Sequence, residues 1–296
     1  MAKEYRSMHF TGERAIYGRE GVAVFDSLFD DGESPIKECR DVTVEKCIFG
    51  WKYPLWYDEN VTVRGCTWLE AARAGVWYTK NISVTDAVIS APKNFRRCSG
   101  VSLTDVSFTN AEETLWACSD VKLKNVTAKG HYFAMNCSDM EVDGLRLDGN
   151  YAFDGTKNVV IRNSHLSTKD AFWNSENVTV ENSFISGEYL GWNSRDLTLV
   201  NCSIESNQGL CYIKNLKLVN CTLINTDLAF EFSDVDAEVV TGVESVLNPR
   251  SGIIRAGYIR ELIVEAGRVN AGDTEIVCPD IGKISDKPEW LRNRDY

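Results

Sequence analysis

Acidic side chains near tryptophans are the residues of this sequence best suited to chemistry, and that chemistry is the cleavage of a glycosidic bond. Asp154 and Asp170 are 16 residues apart, and Trp173 follows the second. On adjacent turns of a repeating strand structure, their backbones would lie about 10–12 Å apart. Converging side chains would then reach the ~6.5–9.5 Å carboxyl separation of an inverting glycosidase. We therefore predict a catalytic role for both aspartates.

Glu113 and Arg96 form a second group of candidates. Glu113 is a further carboxylate for acid or base catalysis. Arg96, with Arg97 and Lys93 nearby, is suited to binding a uronate carboxylate or to acting as the base of a lyase. For each of these charged side chains, and for either aspartate, a solvated surface position is the alternative interpretation.

An internal repeat must position these residues. An Asn, Asp or Gly, each tolerant of a left-handed backbone, recurs every 19 to 21 residues and marks a corner of the chain. The corners are Gly21, Asp41, Asn60, Asn81, Gly100, Asp120, Asp139, Asn158, Asn177, Asp196 and Asn215.

Alternating apolar residues around each corner predict three short strands per repeat. Val42 and Val44 follow the corner at Asp41, Cys47 and Phe49 come next, and Leu55 precedes the following corner. This period and alternation are typical of a right-handed parallel β-helix, an all-β solenoid. We predict about 11–13 coils in a single domain, with an N-terminal cap at 1–15, regular coils at 16–240, and irregular coils and a cap at 241–296, including 287–291.

Stacked coils place equivalent residues in columns, which explains the ten cysteines better than a disulfide framework or a zinc motif does. Cys98, Cys118 and Cys137 share one position two residues before the corner. We expect them to be buried free thiols. A second column, five residues after the corner, predicts a ladder of stacked amides: Asn125, Asn163, Asn182, Asn201 and Asn220.

A third column, four residues before the corner, is predicted to face outward because charged residues occupy it. Its tryptophans are Trp56, Trp77, Trp116, Trp173 and Trp192, and it also contains Tyr17, Lys37, Arg96, Met135, Asp154, Cys211 and Phe230. The flanking residues predicted to bind a ligand are Tyr132, Tyr151, Tyr189, Arg97, Asn174 and Asn193.

This aromatic column has two interpretations. Flat rings with polar neighbours suit the CH faces and hydroxyls of sugars. A large exposed aromatic patch is equally typical of a protein interface, here one between copies of the chain or with another partner. The residues alone do not separate the two.

Composition excludes several classes of function. The 296 residues carry 32 basic and 43 acidic side chains, a net charge of −11, so nucleic acid and anionic membranes are not expected partners. The first ten residues contain no apolar secretion segment, and no stretch of 18 apolar residues occurs, so we expect a cytoplasmic location. The spacing of His, Cys, Asp and Glu indicates no metal site, and we expect no cofactor.

The repeat, together with the segments Trp51–Trp56, Phe95–Cys98, Asp170–Ser175 and Glu188–Ser194, resembles the domain of unknown function 3737 family of bacterial β-helix proteins over nearly the whole chain. The resemblance implies a pectate-lyase-like fold and no particular activity. The polygalacturonase pattern of related enzymes is missing from this sequence, apart from the isolated pair Gly130 and His131. The leading hypothesis is therefore an oligosaccharide-binding or carbohydrate-active protein, as a hydrolase or a lyase. The alternative is a non-catalytic scaffold or self-associating protein.

Overall fold

The computed structural model describes residues 3–289 as a parallel β-solenoid of about 15 coils, about 19 residues apart. This is the predicted fold class, with more coils than the predicted 11–13. The additional coils come from the ends, where Lys3–Arg6 pairs in parallel with Glu20–Phe25 and Ile281–Ser285 pairs with Ser251–Ile263. The single-domain assignment and its caps stay predictions, and Trp290 and Leu291 of the C-terminal cap lie outside the described residues.

The chain divides into two compact units, Met1–Asn150 and Tyr151–Tyr296. The strands of unit 1 are β1 (Lys3–Arg6), β2 (His9–Phe10), β3 (Ile16–Tyr17), β4 (Glu20–Phe25), β5 (Leu28–Phe29), β6 (Ile36–Lys37), β7 (Arg40–Glu45), β8 (Ile48–Phe49), β9 (Leu55–Trp56), β10 (Glu59–Arg64), β11 (Thr67–Trp68), β12 (Val76–Trp77), β13 (Lys80–Ile89), β14 (Ser99–Phe108), β15 (Ser119–Lys124), β16 (Thr127–Lys129), β17 (Ser138–Asp143) and β18 (Arg146–Asp148).

Unit 2 continues the same strand pattern. Its strands are β19 (Lys157–Arg162), β20 (His165–Ser167), β21 (Glu176–Glu181), β22 (Phe184–Ser186), β23 (Arg195–Val200), β24 (Ser203–Asn207), β25 (Leu216–Asp227), β26 (Asp234–Leu247), β27 (Ser251–Ile263), β28 (Thr274–Val277) and β29 (Ile281–Ser285). A 3-10 turn at Ala271–Asp273 precedes β28.

The predicted corners have the left-handed backbone that a sharp bend requires. In unit 1, Asp41, Asn60 and Asn81 have φ of 53°, 57° and 55°. In unit 2, Asn158 and Asn177 have φ of 56° and 54°. Asn and Asp are used here because their short polar side chains tolerate this conformation better than other non-glycine residues do. The corner positions predicted from sequence are thus confirmed at these residues.

The core consists of columns of like residues, one from each coil. In unit 1, Val61 pairs with Val42 on one side and Ile82 on the other, and all three are buried. Aromatic rings stack in the same way, with centroids 5.0 Å apart for Phe29 and Phe49. The spacing is close to the ~4.8 Å between neighbouring strands. An inward residue of one coil therefore packs directly on its equivalents in the next.

The cysteine prediction is confirmed, since Cys98, Cys118 and Cys137 are buried free thiols. The Cys118 backbone N–H donates to the Cys137 sulfur of the next coil, 3.3 Å away. The amide ladder is confirmed where Asn220 Nδ2 donates to Asn201 Oδ1 at 2.8 Å and Asn201 Nδ2 donates to Asn182 Oδ1 at 3.1 Å. Both columns thus join neighbouring coils, as expected from their stacking.

The late coils of unit 2 depart from the regular register. The pairing of β24 with β25 shifts between Glu205 and Asn207, and that of β25 with β26 shifts between Leu218 and Cys221. An extra residue in one strand of a pair changes which side chains face the core. The prediction that Cys211 and Phe230 face outward is wrong, because both have 0% exposure. For Phe230 the reason is the shift between β24 and β25, which adds one residue ahead of it. Cys211 instead turns its thiol toward the carbonyls of Gly209 and Leu228, at 3.3 and 3.5 Å.

Asp58 occupies the thiol column of unit 1, two residues before its corner, and is 1% exposed. The Cys39 backbone N–H donates to Asp58 Oδ1 at 2.8 Å, and Oδ2 has no hydrogen-bond partner among the described residues. Burial raises the pKa of this carboxyl to about 8. The folded protein therefore holds a proton here that the unfolded chain releases near pH 4.

We expect Asp58 to make the protein less stable as the pH rises from about 4 to about 8. The folded state binds more protons than the unfolded chain in this range, so the free energy of unfolding falls by at most about 1.4 kcal/mol per pH unit. Asp58→Ser should remove this slope, because a serine hydroxyl accepts the same kind of backbone bond in unit 2, from Ile213 N–H to Ser233 Oγ at 3.0 Å. Urea unfolding of both proteins across this pH range is the measurement. An equal slope in the variant would contradict the assignment.

Candidate functional site

The tryptophans of unit 1 form a stack in which they cover one another. The rings of Trp56 and Trp77 have centroids 5.0 Å apart and an interplanar angle of 4°. Each indole N–H donates to a backbone carbonyl, Trp56 to Ala74 at 2.8 Å and Trp77 to Lys93 at 3.1 Å. Their facing surfaces are therefore occupied by each other, and solvent meets mainly ring edges.

Arg96 continues this stack between two indoles. Its guanidinium carbon lies 5.4 Å from the ring centroid of Trp77 and 4.9 Å from that of Trp116, within cation–π range. Arg96 also forms an ion pair with Glu113, whose other carboxylate oxygen lies 3.3 Å from Lys93 Nζ. The structure thus brings the predicted Arg96 and Glu113 together, in a cluster that neutralises both.

A parallel column of residues beside this stack is more exposed. The rings of Tyr57 and Tyr78 are stacked at 4.7 Å and 3°, and the Tyr57 side chain is 49% exposed. Arg97 lies 5.9 Å from the Tyr78 ring centroid. Tyr132, predicted to bind a ligand, is also exposed in unit 1.

We expect Glu113→Ala to lower the free energy of unfolding by about 2 kcal/mol, because it leaves the Arg96 guanidinium, whose side chain is only 18% exposed, without its charged partner. Glu141→Ala is the matched control. Glu141 pairs with Lys122 at 3.7 Å between well-exposed side chains, and its loss should cost less than about 0.5 kcal/mol. Urea titration measures both changes, and equal effects would show that the Arg96 cluster is an ordinary surface pair.

The aromatic rings of unit 2 are arranged differently. Trp173 and Trp192 have centroids 6.1 Å apart at 35°, and Trp192 meets Tyr212 at 4.3 Å and 35°. Tyr151 stands edge-on to Trp173, at 6.3 Å and 89°. Trp173 is held in place because its indole N–H donates to the Tyr189 carbonyl at 2.8 Å. Trp173 and Trp192 cover each other less than Trp56 and Trp77 do, because their centroids are farther apart and their planes are tilted, whereas Trp192 and Tyr212 remain in close contact.

A ladder of polar side chains runs beside these rings. Asn174 directly follows Trp173 and Asn193 directly follows Trp192. Asn193 Nδ2 donates to Asn174 Oδ1 at 2.8 Å, and Asn174 Nδ2 donates to Asp154 Oδ1 at 2.9 Å. Three of the predicted site residues are thus joined in one hydrogen-bonded row, with a carboxylate at its end.

Asp170 is buried, with 2% exposure, whereas Asp154 is half-buried. Burial is the main cause that raises the pKa of Asp170; nearby Lys169 and a hydrogen bond with Tyr151 lower it, and Glu188 raises it further. Its Oδ1 atom has no hydrogen-bond partner among the described residues. A carboxyl in this setting keeps its proton to higher pH than an exposed one. The predicted separation of the Asp154 and Asp170 carboxyls stays a prediction.

Glu231 is a buried acid that sequence reasoning missed. It is 8% exposed and accepts a hydrogen bond from Gln208 Nε2 at 3.2 Å. Burial raises its pKa, and its charge contributes to the raised pKa of Tyr212. The register shifts of β24 and β25 hid it, because the regular repeat assigned the outward position to Phe230.

Metal-binding clusters and membrane-spanning helices are both absent from residues 3–289, the part of the chain that the structure describes. Within it, no group of three or more His, Cys, Asp or Glu side chains is placed to hold a metal ion. Nor does this part of the protein contain a helix with the length and apolar character needed to span a membrane.

The fold and these columns agree with a comparison against protein families. The family described as "Protein of unknown function (DUF3737)" matches residues 3–277. The chain belongs to the DUF3737 family. This confirms the resemblance seen in the sequence, and no curated protein matches this DUF3737 member.

Three solved structures with similar folds are distant from this DUF3737 chain. PfbA, a surface adhesin of Streptococcus pneumoniae, matches with a TM-score of 0.41 and 8% identity, over 95% of this chain and 83% of the adhesin. A tailspike mutant of E. coli bacteriophage HK620, solved with a pentasaccharide, gives 0.38 and 9%, over 96% and 70%. The mannuronan C-5 epimerase A-module of Azotobacter vinelandii gives 0.27 and 11%, over 97% and 87%. Likenesses this low do not carry a ligand or an activity over to this chain.

Proposed function

We propose that this protein binds an oligosaccharide on the aromatic surface of unit 2, which we define as Tyr151, Trp173, Tyr189, Trp192 and Tyr212. The observation that carries the proposal is the tilt of these rings beside a polar ladder. Tilted rings leave face area available to the CH groups of a sugar, whereas the parallel rings of Trp56 and Trp77 do not.

The ladder supplies the directional contacts that a sugar needs. Asp154, Asn174 and Asn193 offer carboxylate and amide groups along the row, and sugar hydroxyls both donate to and accept from such groups. Small-molecule sites usually combine apolar or aromatic area, which provides affinity, with a few polar groups that fix the orientation of the ligand. The hydrogen bonds along the ladder hold these groups in position before a ligand arrives.

Hydrolysis of the bound sugar is the reaction that we propose for this surface. Asp170, with its raised pKa, would donate a proton to the leaving glycosidic oxygen. Asp154 would take a proton from water as that water attacks the anomeric carbon. In this proposal Arg96 and Glu113 have a structural role in unit 1, because their charges neutralise each other.

A cytoplasmic location is part of the proposal. Nine of the ten cysteines are buried free thiols, which supports a reducing compartment. The substrate would then be an oligosaccharide imported or made inside the cell.

A protein interface is the second candidate function, and it is favoured in unit 1. There the stacked ring edges lie beside exposed Tyr57, and edges with an exposed tyrosine suit a protein partner.

We expect a saturable change in tryptophan fluorescence when the protein is titrated with a panel of oligosaccharides. Trp173→Ala should weaken binding about tenfold or more, because it removes the central ring of the surface. Trp56→Ala, which removes a ring of the unit 1 stack, is the matched control and should leave the affinity unchanged. Equal loss in both variants contradicts the assignment to unit 2, and no response from folded protein with any sugar favours the interface.

We expect Asp170→Asn to abolish hydrolysis of a bound oligosaccharide while its affinity stays within about threefold. Because the pKa of Asp170 is raised, its proton remains in place above the usual carboxyl range, so activity should fall only at a correspondingly higher pH. Asp154→Asn should also stop turnover, because the attacking water then has no base. Release of reducing ends measures both, and full turnover in either variant would exclude that residue as catalytic.

A further inference from the structure

The aromatic surface of unit 2 is surrounded by more acids than bases. Asp170 meets Tyr151, Glu188 precedes Tyr189, and Glu231 faces Tyr212. Asp154 lies at the end of the ladder beside Trp173. The surroundings of the surface therefore hold four carboxyl groups.

The bases near this surface are already engaged. Lys169 Nζ forms a 2.9 Å ion pair with Glu188 and lies 5.2 Å from the Tyr189 ring centroid. Arg268 lies over the Phe232 ring at 5.1 Å and offsets the charge of Glu231. Neither cation offsets the charge of Asp154.

Of these four carboxyl groups, Asp154 is the one whose negative charge has no cationic partner among the described residues. Its Oδ1 atom accepts a hydrogen bond from the neutral amide of Asn174, 2.9 Å away. In the described part of the chain it forms no ion pair, in contrast to Glu113 of unit 1, which has two cationic partners. A half-buried carboxylate beside an indole attracts an ammonium group by charge, and the ring face adds a cation–π contribution.

We infer that this surface selects amine-bearing oligosaccharides over neutral ones and rejects oligomers of uronic acids. The inference rests on the proposed function and names the substrate class of that same site. An amino sugar places its ammonium near Asp154 while its ring lies on Trp173. A uronate would instead bring its carboxylate toward the like charge of Asp154, and the two cations described near the surface, Lys169 and Arg268, are already engaged.

The test compares three ligands of equal length: glucosamine oligomers, N-acetylglucosamine oligomers and galacturonic acid oligomers. Affinities are measured by calorimetry at low and at physiological ionic strength, at a pH where the amine is protonated. We expect the glucosamine oligomer to bind about tenfold more tightly than its acetylated form at low salt. This ratio should shrink as salt screens the charges, and the uronate oligomer should bind most weakly.

The Asp154→Asn variant removes the negative charge and keeps nearly the same side-chain shape. It should reduce the preference for the amine to within about twofold, because the affinity for the amine oligomer should fall by more than that for the acetylated one. Asp196→Asn is the matched control, because Asp196 also accepts a ladder bond, from Asn215 Nδ2 at 2.6 Å in the same unit. The control should keep the full preference.

The outcomes distinguish this inference from the proposed function. Equal binding of amine and acetylated oligomers, or tighter binding of the uronate, overturns the charge selection and leaves sugar binding in place. An amine preference that survives Asp154→Asn overturns the role of Asp154. If no oligomer binds, the proposed function itself fails.

Discussion

Parallel backbone hydrogen bonding between each coil and the next is the constraint on which the rest of this structure depends. Within each unit it places a residue next to its equivalent about one repeat away, as with Val42 and Val61 or Val159 and Val178. Side chains of the same type therefore meet repeatedly at nearly the same distance. Ring stacks, thiol columns and amide ladders are all products of this one geometry, and so are the rows of functional groups on the surface.

The same constraint makes differences between coils chemically important. Trp77 stacks face to face on Trp56 on one side. On its other side it contacts Arg96, whose guanidinium lies between the indoles of Trp77 and Trp116. In unit 2, Trp173 and Trp192 are neighbours without becoming parallel. One column position thus yields a rigid stack in one unit and an open aromatic surface in the other. The function of a column depends on ring orientation as well as on residue type.

Much of the fold was predictable because the repeat consists of residues with strong local backbone preferences. Asn60 and Asn158 indicate corners through their tolerance of a left-handed backbone, and alternating valines indicate strands. The spacing of the repeat was enough to predict the columns. It was not enough to predict the tilt of the rings, because tilt depends on side-chain rotamers and on the carbonyl to which each indole N–H donates. The burial of Asp170 and the position of Glu231 were also missed, since one depends on packing at a turn and the other on a register shift.

The left-handed corners and the one-to-one pairing limit how a protein of this kind changes length. Removing one residue from a regular coil would turn every following side chain of that strand from core to solvent, or the reverse. Removing or duplicating a complete coil leaves each remaining residue with a partner of the same type. Changes in length are therefore expected in steps of a whole coil. Smaller steps also occur, both between the corners Asn60 and Asn81 of unit 1, 21 residues apart, and in the late coils of unit 2, with their register shifts near Glu205 and Leu218.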